Sequence, residues 1–380
     1  MITEFGKVSC CKAYRLGTDV PRLDFARVSR NMLMGRQTQL TLDTNIVIGM
    51  VKCCDPGVPA DDRTLRRQGL LEFVEFLRGC HELGLAYYIS PYFALMEIPA
   101  REVAAAASAI DAFPSKFGLS WIDDAHSSTP DLSRTGRRVR EDRYAGQYED
   151  ERKFMAQYYG GLLLLLLVAR DYATATPYAQ FATFLRLSRA YLNIVSSRLV
   201  QIARFVLAPP PQEGEEIYGL WRDIVINFTQ REKPMQRYPS SFHQMDKAAL
   251  NGSHDLMVLD AALVAENRGL AGIGVDPWLV TGDRKLASML RVIHHVGVFK
   301  GQAGMILATD EMAHHGEYWS RTEKAIARRK VRLNPNTDID RIEKQALTIR
   351  AFAENDIRRA IDFPAFGGTQ ILTSGGGRAE

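Results

Sequence analysis

The 380-residue chain is predicted to be an α/β protein, a parallel sheet flanked by helices, with a large mostly helical insertion and a helical C-terminal extension. Three observations carry that prediction. Short apolar runs that end at an acidic residue, Gln39 to Leu42 before Asp43 and Trp278 to Thr281 before Gly282-Asp283, alternate with segments of helical periodicity. Such alternation is what strands joined by crossover helices produce. Between residues 109 and 250 the alternation gives way to long helical patterns, and a chain with 46% hydrophobic and 24% charged residues has the composition of a globular protein with a buried core.

Residues 1–38 show no clear period and are set apart as an N-terminal extension. The first strand is Gln39 to Leu42; Asp43 ends it, and Thr44 and Asn45 open a helix from Ile46 to Lys52. The run Asp55-Pro56-Gly57-Val58-Pro59 breaks the chain. Leu65 to Leu83 then reads as an amphipathic helix, with Leu70, Phe73, Val74 and Leu77 on one face and Gly84 as its stop. Leu85 to Ile89 is a second strand, and Ser90-Pro91 supplies a cap and a first-turn proline for the helix that carries Glu97. Pro99 is expected to kink it.

Within the insertion, a polar stretch from Ser127 to Lys153 precedes helical patterns over Phe154 to Ala173 and Tyr178 to Leu207, ended by Pro209-Pro210-Pro211, and a further segment, Trp221 to Phe228. The longest apolar run, Leu162 to Ala169 closed by Arg170, falls well short of the roughly 20 residues that cross a bilayer, so it predicts a buried helix and no membrane partner. Asn251-Gly252-Ser253-His254 is read as a turn, with Asp255 starting a helix that runs to Asn267 and stops near Gly269. Gly282-Asp283 turns the strand Trp278 to Thr281 into a helix from Arg284 to about Leu290, and Val292 to Phe299 is a further strand candidate. The basic cluster Arg328 to Arg332, a helix from Ile339 to Ile361 and a Gly-rich end form the C-terminal extension. The resulting division is 39–108 with 251–310 as one discontinuous domain, and 1–38, 109–250 and 311–380 as additions to it.

A net charge of +4 tolerates an anionic partner without requiring one. The five cysteines (Cys10, Cys11, Cys53, Cys54, Cys80) are odd in number, include two vicinal doublets, and have no Cys-x-x-Cys spacing. That excludes a disulfide framework and a zinc site, and points to reduced thiols in a cytoplasmic protein. Met1 to Cys11 lacks the basic-then-apolar pattern of a secretory signal.

The chemistry lies in the acidic residues at element ends. Asp43 and Asp283 each end a strand, Asp255 starts a helix, and Glu97 lies two helical turns past a strand. In an open parallel sheet, such positions converge on a cleft beyond the carboxyl ends of the strands. Carboxylates gathered there repel one another unless protons or cations intervene, and hard divalent ions with oxygen ligands serve that purpose. Each aspartate has a structural alternative as a helix N-cap. Glu97, within Phe93-Ala94-Leu95-Met96-Glu97-Ile98, has less reason to be there, since an apolar face disfavours an unpaired carboxylate.

Taken together, Leu42-Asp43-Thr44-Asn45, Ser90-Pro91-Tyr92-Phe93-Ala94-Leu95-Met96-Glu97, His254-Asp255-Leu256-Met257-Val258 and Leu279-Val280-Thr281-Gly282-Asp283 resemble, in order, the acidic motifs of PIN-domain nucleases. The resemblance covers about residues 39–107 and 251–300. It implies a PIN-like fold and a metal-dependent endoribonuclease that hydrolyses phosphodiester bonds, with Asp43, Glu97, Asp255 and Asp283 as catalytic ligands of Mg²⁺ or Mn²⁺. Asn45 and Thr281 would orient the carboxylates. Asp260 is a rival for the third acidic position, but it lies about 140° round a helix from Asp255, and Asp255 is preferred because it starts the helix. Arg284 and Lys285, directly after Asp283, are the expected phosphate contacts.

The expected partner is nucleic acid, RNA ahead of DNA, and a second copy of the chain or an inhibitor protein is compatible with the same reading. Two alternatives stand beside it: a catalytically silent PIN-like scaffold that binds RNA or protein, and a structure-specific DNA nuclease. His254 adjoins Asp255 and is open to a role at the site, although a turn histidine reads first as solvated; His294-His295 and His314-His315 read as unsuited to metal binding, and Arg137, Arg138 and Arg140 as part of a mixed-charge surface. Tyr158, Tyr159, Tyr172 and Tyr178 read as core.

Overall fold

A computed structural model describes residues 1–15, 20–98, 100–123, 144, 149–192, 195–231, 233, 238–269, 272–296, 298–299, 302–303, 306–307, 316–328 and 338–355. The Arg137 group, His314-His315, Pro99, most of the Arg328 to Arg332 cluster and the Gly-rich end lie outside them.

The chain begins with β1 (Ile2–Phe5), β2 (Val8–Cys11), β3 (Tyr14–Arg15), α1 (Phe25–Leu33), β4 (Gln37–Leu42) and α2 (Thr44–Cys54). It continues with α3 (Asp62–Gln68), α4 (Leu71–Glu82), β5 (Tyr88–Ser90), α5 (Tyr92–Glu97), α6 (Ala100–Phe117) and β6 (Ile122–Asp123). Next come four helices, α7 (Glu149–Asp171), α8 (Pro177–Tyr191), α9 (Ser197–Val206) and α10 (Glu216–Thr229). The chain returns to the sheet through α11 (Phe242–Arg268), β7 (Val275–Thr281) and α12 (Arg284–Val292). Short strands β8 (His294–Val296), β9 (Val298–Phe299), β10 (Gln302–Ala303) and β11 (Ile306–Leu307) precede α13 (Glu317–Ala327) and α14 (Ile339–Glu354).

The main sheet has six strands in the order β1-β2-β7-β4-β5-β6. Strands β7, β4, β5 and β6 are parallel to one another, as the strand–helix rhythm predicts. The α/β class therefore holds, but the sheet is mixed: β2 runs antiparallel to β7, and β1 antiparallel to β2. Residues 1–38, expected to form an extension, thus supply two strands of the main sheet, β1 and β2. Val8-Ser9-Cys10-Cys11 is buried at every position, so it carries none of the period-2 alternation by which a half-exposed strand is read. Two further short pairings lie outside the main sheet, β3 beside β8 with β11, and β9 with β10.

Strand β7 starts at Val275, earlier than predicted, and includes Pro277. The ladder explains why the proline is tolerated. Gln37 donates to Gly274 O at one end and Asp43 to Val280 O at the other. Odd-numbered residues of β4 therefore bond toward β7, and Pro277, opposite Gln39, turns its nitrogen to the other side. There β2 reaches only Leu279 to Thr281, so no ladder bond is lost.

The sheet separates two apolar cores. One gathers α2 to α6 with Val8, Cys10, Leu40, Leu42, Trp278 and Val280. The other joins α7 to α14 with Cys11 and Leu279. Neighbouring residues of β2 and β7 thus face opposite cores, as the pleat requires. The expected edge at residue 108 falls inside α6, which with β6 belongs to the sheet layer. The predicted insertion and C-terminal extension form one helical body, in which α14 packs along α7. Leu162 to Leu167 are buried all round α7, and among the described residues no helix is long and apolar enough to cross a membrane. The pattern Tyr178 to Leu207 is two helices, α8 and α9. All five cysteines are free thiols.

The turn predicted at Asn251 to His254 is not one. Helix α11 runs unbroken for 27 residues, from its cap at Ser241 to Gly269. Gly252 serves helix packing: a Cβ there would come within 2.9 Å of Phe228 and 3.0 Å of Leu162. A glycine of close approach and a glycine of a turn look alike in sequence.

Far from the carboxyl ends of the strands, Asp276 is buried at the start of β7 among cations. Arg27 grips it through Nη2 at 2.7 Å and Nε at 2.8 Å, and Lys12 Nζ lies 2.8 Å away. Asn31 Nδ2 and Trp278 Nε1 also donate to it, at 2.7 and 3.0 Å. Burial pushes this carboxyl up, but Arg27 and Lys12 outweigh it and hold the group well below the ordinary carboxylate range. Lys12 also pairs with Glu266 near the end of α11, so one charge cluster ties the N-terminal hairpin, α1, β7 and α11 together.

Candidate functional site

Strand register brings the first two acidic residues together. Leu42 of β4 lies opposite Val280 of β7, so Asp43 sits one step beyond, beside Thr281. Asp43 caps α2, accepting from Thr44 N at 2.8 Å. Its other oxygen accepts from Asn45 Nδ2 and Thr281 Oγ1. Asn45 also accepts from Gly282 N at 2.6 Å and lies 3.3 Å from Thr281 Oγ1. Asn45 and Thr281 therefore hold Asp43 and the end of β7 in one net of bonds, the arrangement expected for groups that orient a carboxylate.

Asp283 caps α12, accepting from Lys285 N at 2.7 Å and Leu286 N at 3.3 Å, while its own N–H donates to Thr281 Oγ1 at 2.9 Å. Capping and membership of the site are thus compatible at Asp43 and Asp283. Glu97 ends α5, and Thr44 Oγ1 donates to it across the gap between α2 and α5. Arg284 and Lys285 are exposed on the first turn of α12.

Asp255 lies in the middle of α11, so the reason for which it was preferred over Asp260 does not hold. Its surroundings nevertheless place it with the other three. Burial raises its carboxyl well above the ordinary range, and the charges of Asp43, Glu97 and Asp283 raise it further, against the lowering effect of a hydrogen bond from Asn227. Asp43 is raised as well, first by burial, with Asp283 adding to it and the bonds from Thr281, Thr44 and Asn45 opposing. Residues from β4, α5, α11 and the β7–α12 turn are therefore coupled through their charges, all at the carboxyl ends of the parallel strands. Among the described residues, no three His, Cys, Asp or Glu side chains form a set that holds a metal ion as they stand.

Asp260 belongs to a different group. It accepts from Tyr158 Oη and from Arg198 Nη2 at 3.2 Å, and Arg198 Nη2 lies 3.0 Å from His295 Nδ1. Burial, then the Arg198 charge, pushes His295 down to about 4, which suits a neutral ring between strand and helix.

Two groups near the site, Asn227 and Glu151, escaped the sequence reading, and a third, His254, was given the wrong setting. Asn227 on α10 is buried and donates to Asp255 Oδ2 at 3.0 Å. His254 is buried, not solvated, with Nδ1 3.5 Å from Glu97 Oε1 and 3.8 Å from Glu151 Oε1. Glu151 of α7 is buried there too, although it closes a polar run that reads as solvated surface. A buried Glu at the edge of a charge-rich run and an Asn in an apolar helix are weak signals taken singly; only the partners give them meaning. Comparison with protein-family models, with curated proteins and with solved structures returns no match to this chain.

Proposed function

We propose that the chain is a metal-dependent phosphodiester hydrolase with a PIN-like core, an endoribonuclease that uses Mg²⁺ or Mn²⁺ at Asp43, Glu97, Asp255 and Asp283. What supports the reading is the bonding at the ends of β4 and β7, where Thr281 joins Asp43 and Asp283 and Thr44 joins Glu97, with Asp255 raised by the charges of all three. Ligands of open α/β sheets bind at that edge.

The donor set fits a hard divalent cation: the groups are carboxylate oxygens, and their mutual repulsion is what such a charge relieves. The cation would supply charge for a scissile phosphate and lower the pKa of an attacking water. Asn45 and Thr281 keep Asp43 oriented, Glu97 is fixed through Thr44, and Arg284 and Lys285 stand where an anionic strand would pass the site.

One observation favours a second reading, a silent PIN-like scaffold that binds RNA or protein: the carboxylates do not stand as a closed metal set. Cleavage of labelled single-stranded RNA and matched DNA with Mg²⁺, Mn²⁺ or EDTA, beside Asp43→Asn and Asp283→Asn, separates the two. The nuclease reading expects metal-dependent cutting that both variants lose while remaining folded. Binding without turnover by the wild-type protein would give the scaffold reading instead, and cutting confined to DNA would make the enzyme a DNA nuclease.

A further inference from the structure

We infer that Asn227 is a positioning residue of the four-carboxylate site, so that the helical body is a working part of the site and not an added platform. The inference rests on the metal-site reading above.

The geometry is direct. Asn227 lies on the last turns of α10, is buried, and gives an Nδ2–H to Asp255 Oδ2 at 3.0 Å. Asp255 projects from the middle of α11, where no backbone N–H is open to it, because every interior amide of a helix is already bonded within the helix. Asp43 and Asp283 are steadied by the amides of the helices they cap. Asp255 has no such support, and the side-chain amide from α10 takes its place. With Oδ2 so engaged, Oδ1 is the oxygen of Asp255 that accepts no bond from the described residues.

Helix α10 is itself fixed against the site. Asp223, one turn before Asn227, accepts from Ser288 Oγ of α12 at 2.9 Å. Trp221, Ile224, Val225 and Phe228 bury the same helix in the core shared with Leu286 and Leu290 of α12. The helix that Asp283 caps and the helix that bears the partner of Asp255 are therefore packed directly against each other. Asn227 has the chemistry that the role needs: an amide donates to an ionised carboxylate without adding charge to a cluster that already repels itself.

The test is Mn²⁺ affinity of the full-length protein, measured by calorimetry or by electron paramagnetic resonance of free Mn²⁺, for wild type, Asp255→Asn, Asn227→Leu and Asn227→Ser. Leucine keeps much of the volume of asparagine and removes the donor; serine keeps a shorter donor if leucine proves too large. Loss of an orienting partner costs about 10- to 100-fold in metal affinity, so Asn227→Leu should weaken Mn²⁺ binding at least about 10-fold, with Asn227→Ser between it and wild type. Thermal midpoints of the metal-free proteins distinguish a purely structural role, which would lower the midpoint and leave the affinity unchanged. That result, with Asp255→Asn losing Mn²⁺, would overturn the role of Asn227 and leave the metal site standing. Unchanged affinity in Asp255→Asn as well would overturn both.

Discussion

The two ends of β7 treat buried carboxylates in opposite ways. In the sheet body, polar groups fix positions: Asp276 with Arg27, Lys12, Asn31 and Trp278 at one end of β7, and Asp43, Asn45 and Thr281 at the other. Both bodies have apolar cores, and the helical one, built around the leucines of α7, has buried polar pairs of its own, Arg204 with Thr322 and Tyr159 with Asp246. At one end of β7 the charges are balanced, cation against carboxylate. At the other, carboxylates raise one another: Asp283 raises Asp43, and Asp43, Glu97 and Asp283 raise Asp255. A buried carboxylate is fully compensated at Asp276, whereas Asp255 at the opposite edge faces the charges of Asp43, Glu97 and Asp283, and the proposed cation would relieve that repulsion.

The largest expected effect comes from breaking the balanced end. Asp276→Ala would leave Lys12 and Arg27 buried without their partner, and removing one member of such a cluster costs about 3–5 kcal/mol. Urea unfolding should show that loss. A change within about 0.5 kcal/mol, the size of an ordinary surface substitution, would mean that the cluster contributes nothing and that the contrast between the two ends is empty. Gly252→Ala strikes the helical body. Its methyl group would press on Phe228 and Leu162, and overpacking of this kind costs about 1–3 kcal/mol; a thermal midpoint equal to that of wild type would show that α7, α10 and α11 yield more easily than their packing implies.

The unbalanced end should reveal itself through pH. The folded Asp255 binds its proton more tightly than the unfolded chain does. The metal-free protein therefore gains stability from this group as pH falls through the raised folded value toward the ordinary carboxylate range, and loses it as pH rises. Asp276 works in the opposite sense: its contribution is present above the ordinary carboxylate value and is lost as pH falls below it. Asp255→Asn should raise the thermal midpoint of the metal-free protein at neutral pH and flatten its pH dependence on the alkaline side of that range. A lowered midpoint would show that the carboxylates do not burden the fold.

The smallest effect is expected at Arg284 and Lys285, whose side chains are exposed. Changing both to Ala should leave stability unchanged. RNA binding should weaken, and the salt dependence of its logarithm should become shallower by about one for each lost phosphate contact. An unaltered salt slope would take both residues out of the binding path.

The order of elements around the site was legible because strand, turn and cap leave local marks. Asp43 and Asp283 cap helices directly after strands, and their motifs state as much. Glu97 was found because a carboxylate in an apolar stretch needs a reason. Asp255 was found by resemblance while its setting was misread, since Gly252 looks like a turn until Phe228 and Leu162 are seen against it. The N-terminal hairpin was missed because β2 is buried on both faces.

By itself, then, the sequence determined local things: the α/β class, the parallel strands with their acidic ends, most of the helices, and the caps at Asp43 and Asp283. Tertiary structure alone decided which charges meet. It set Asp255 with Asp43, Glu97 and Asp283 and gave Asp260 to Tyr158 and Arg198. It brought Asn227 and Glu151 from the helical body to the site, and closed the sheet with a hairpin from the chain's first residues. The physical reason is range: capping and periodicity act within a turn or two of chain, whereas repulsion between carboxylates, and the bonds that steady them, depend on distances in space that only packing sets.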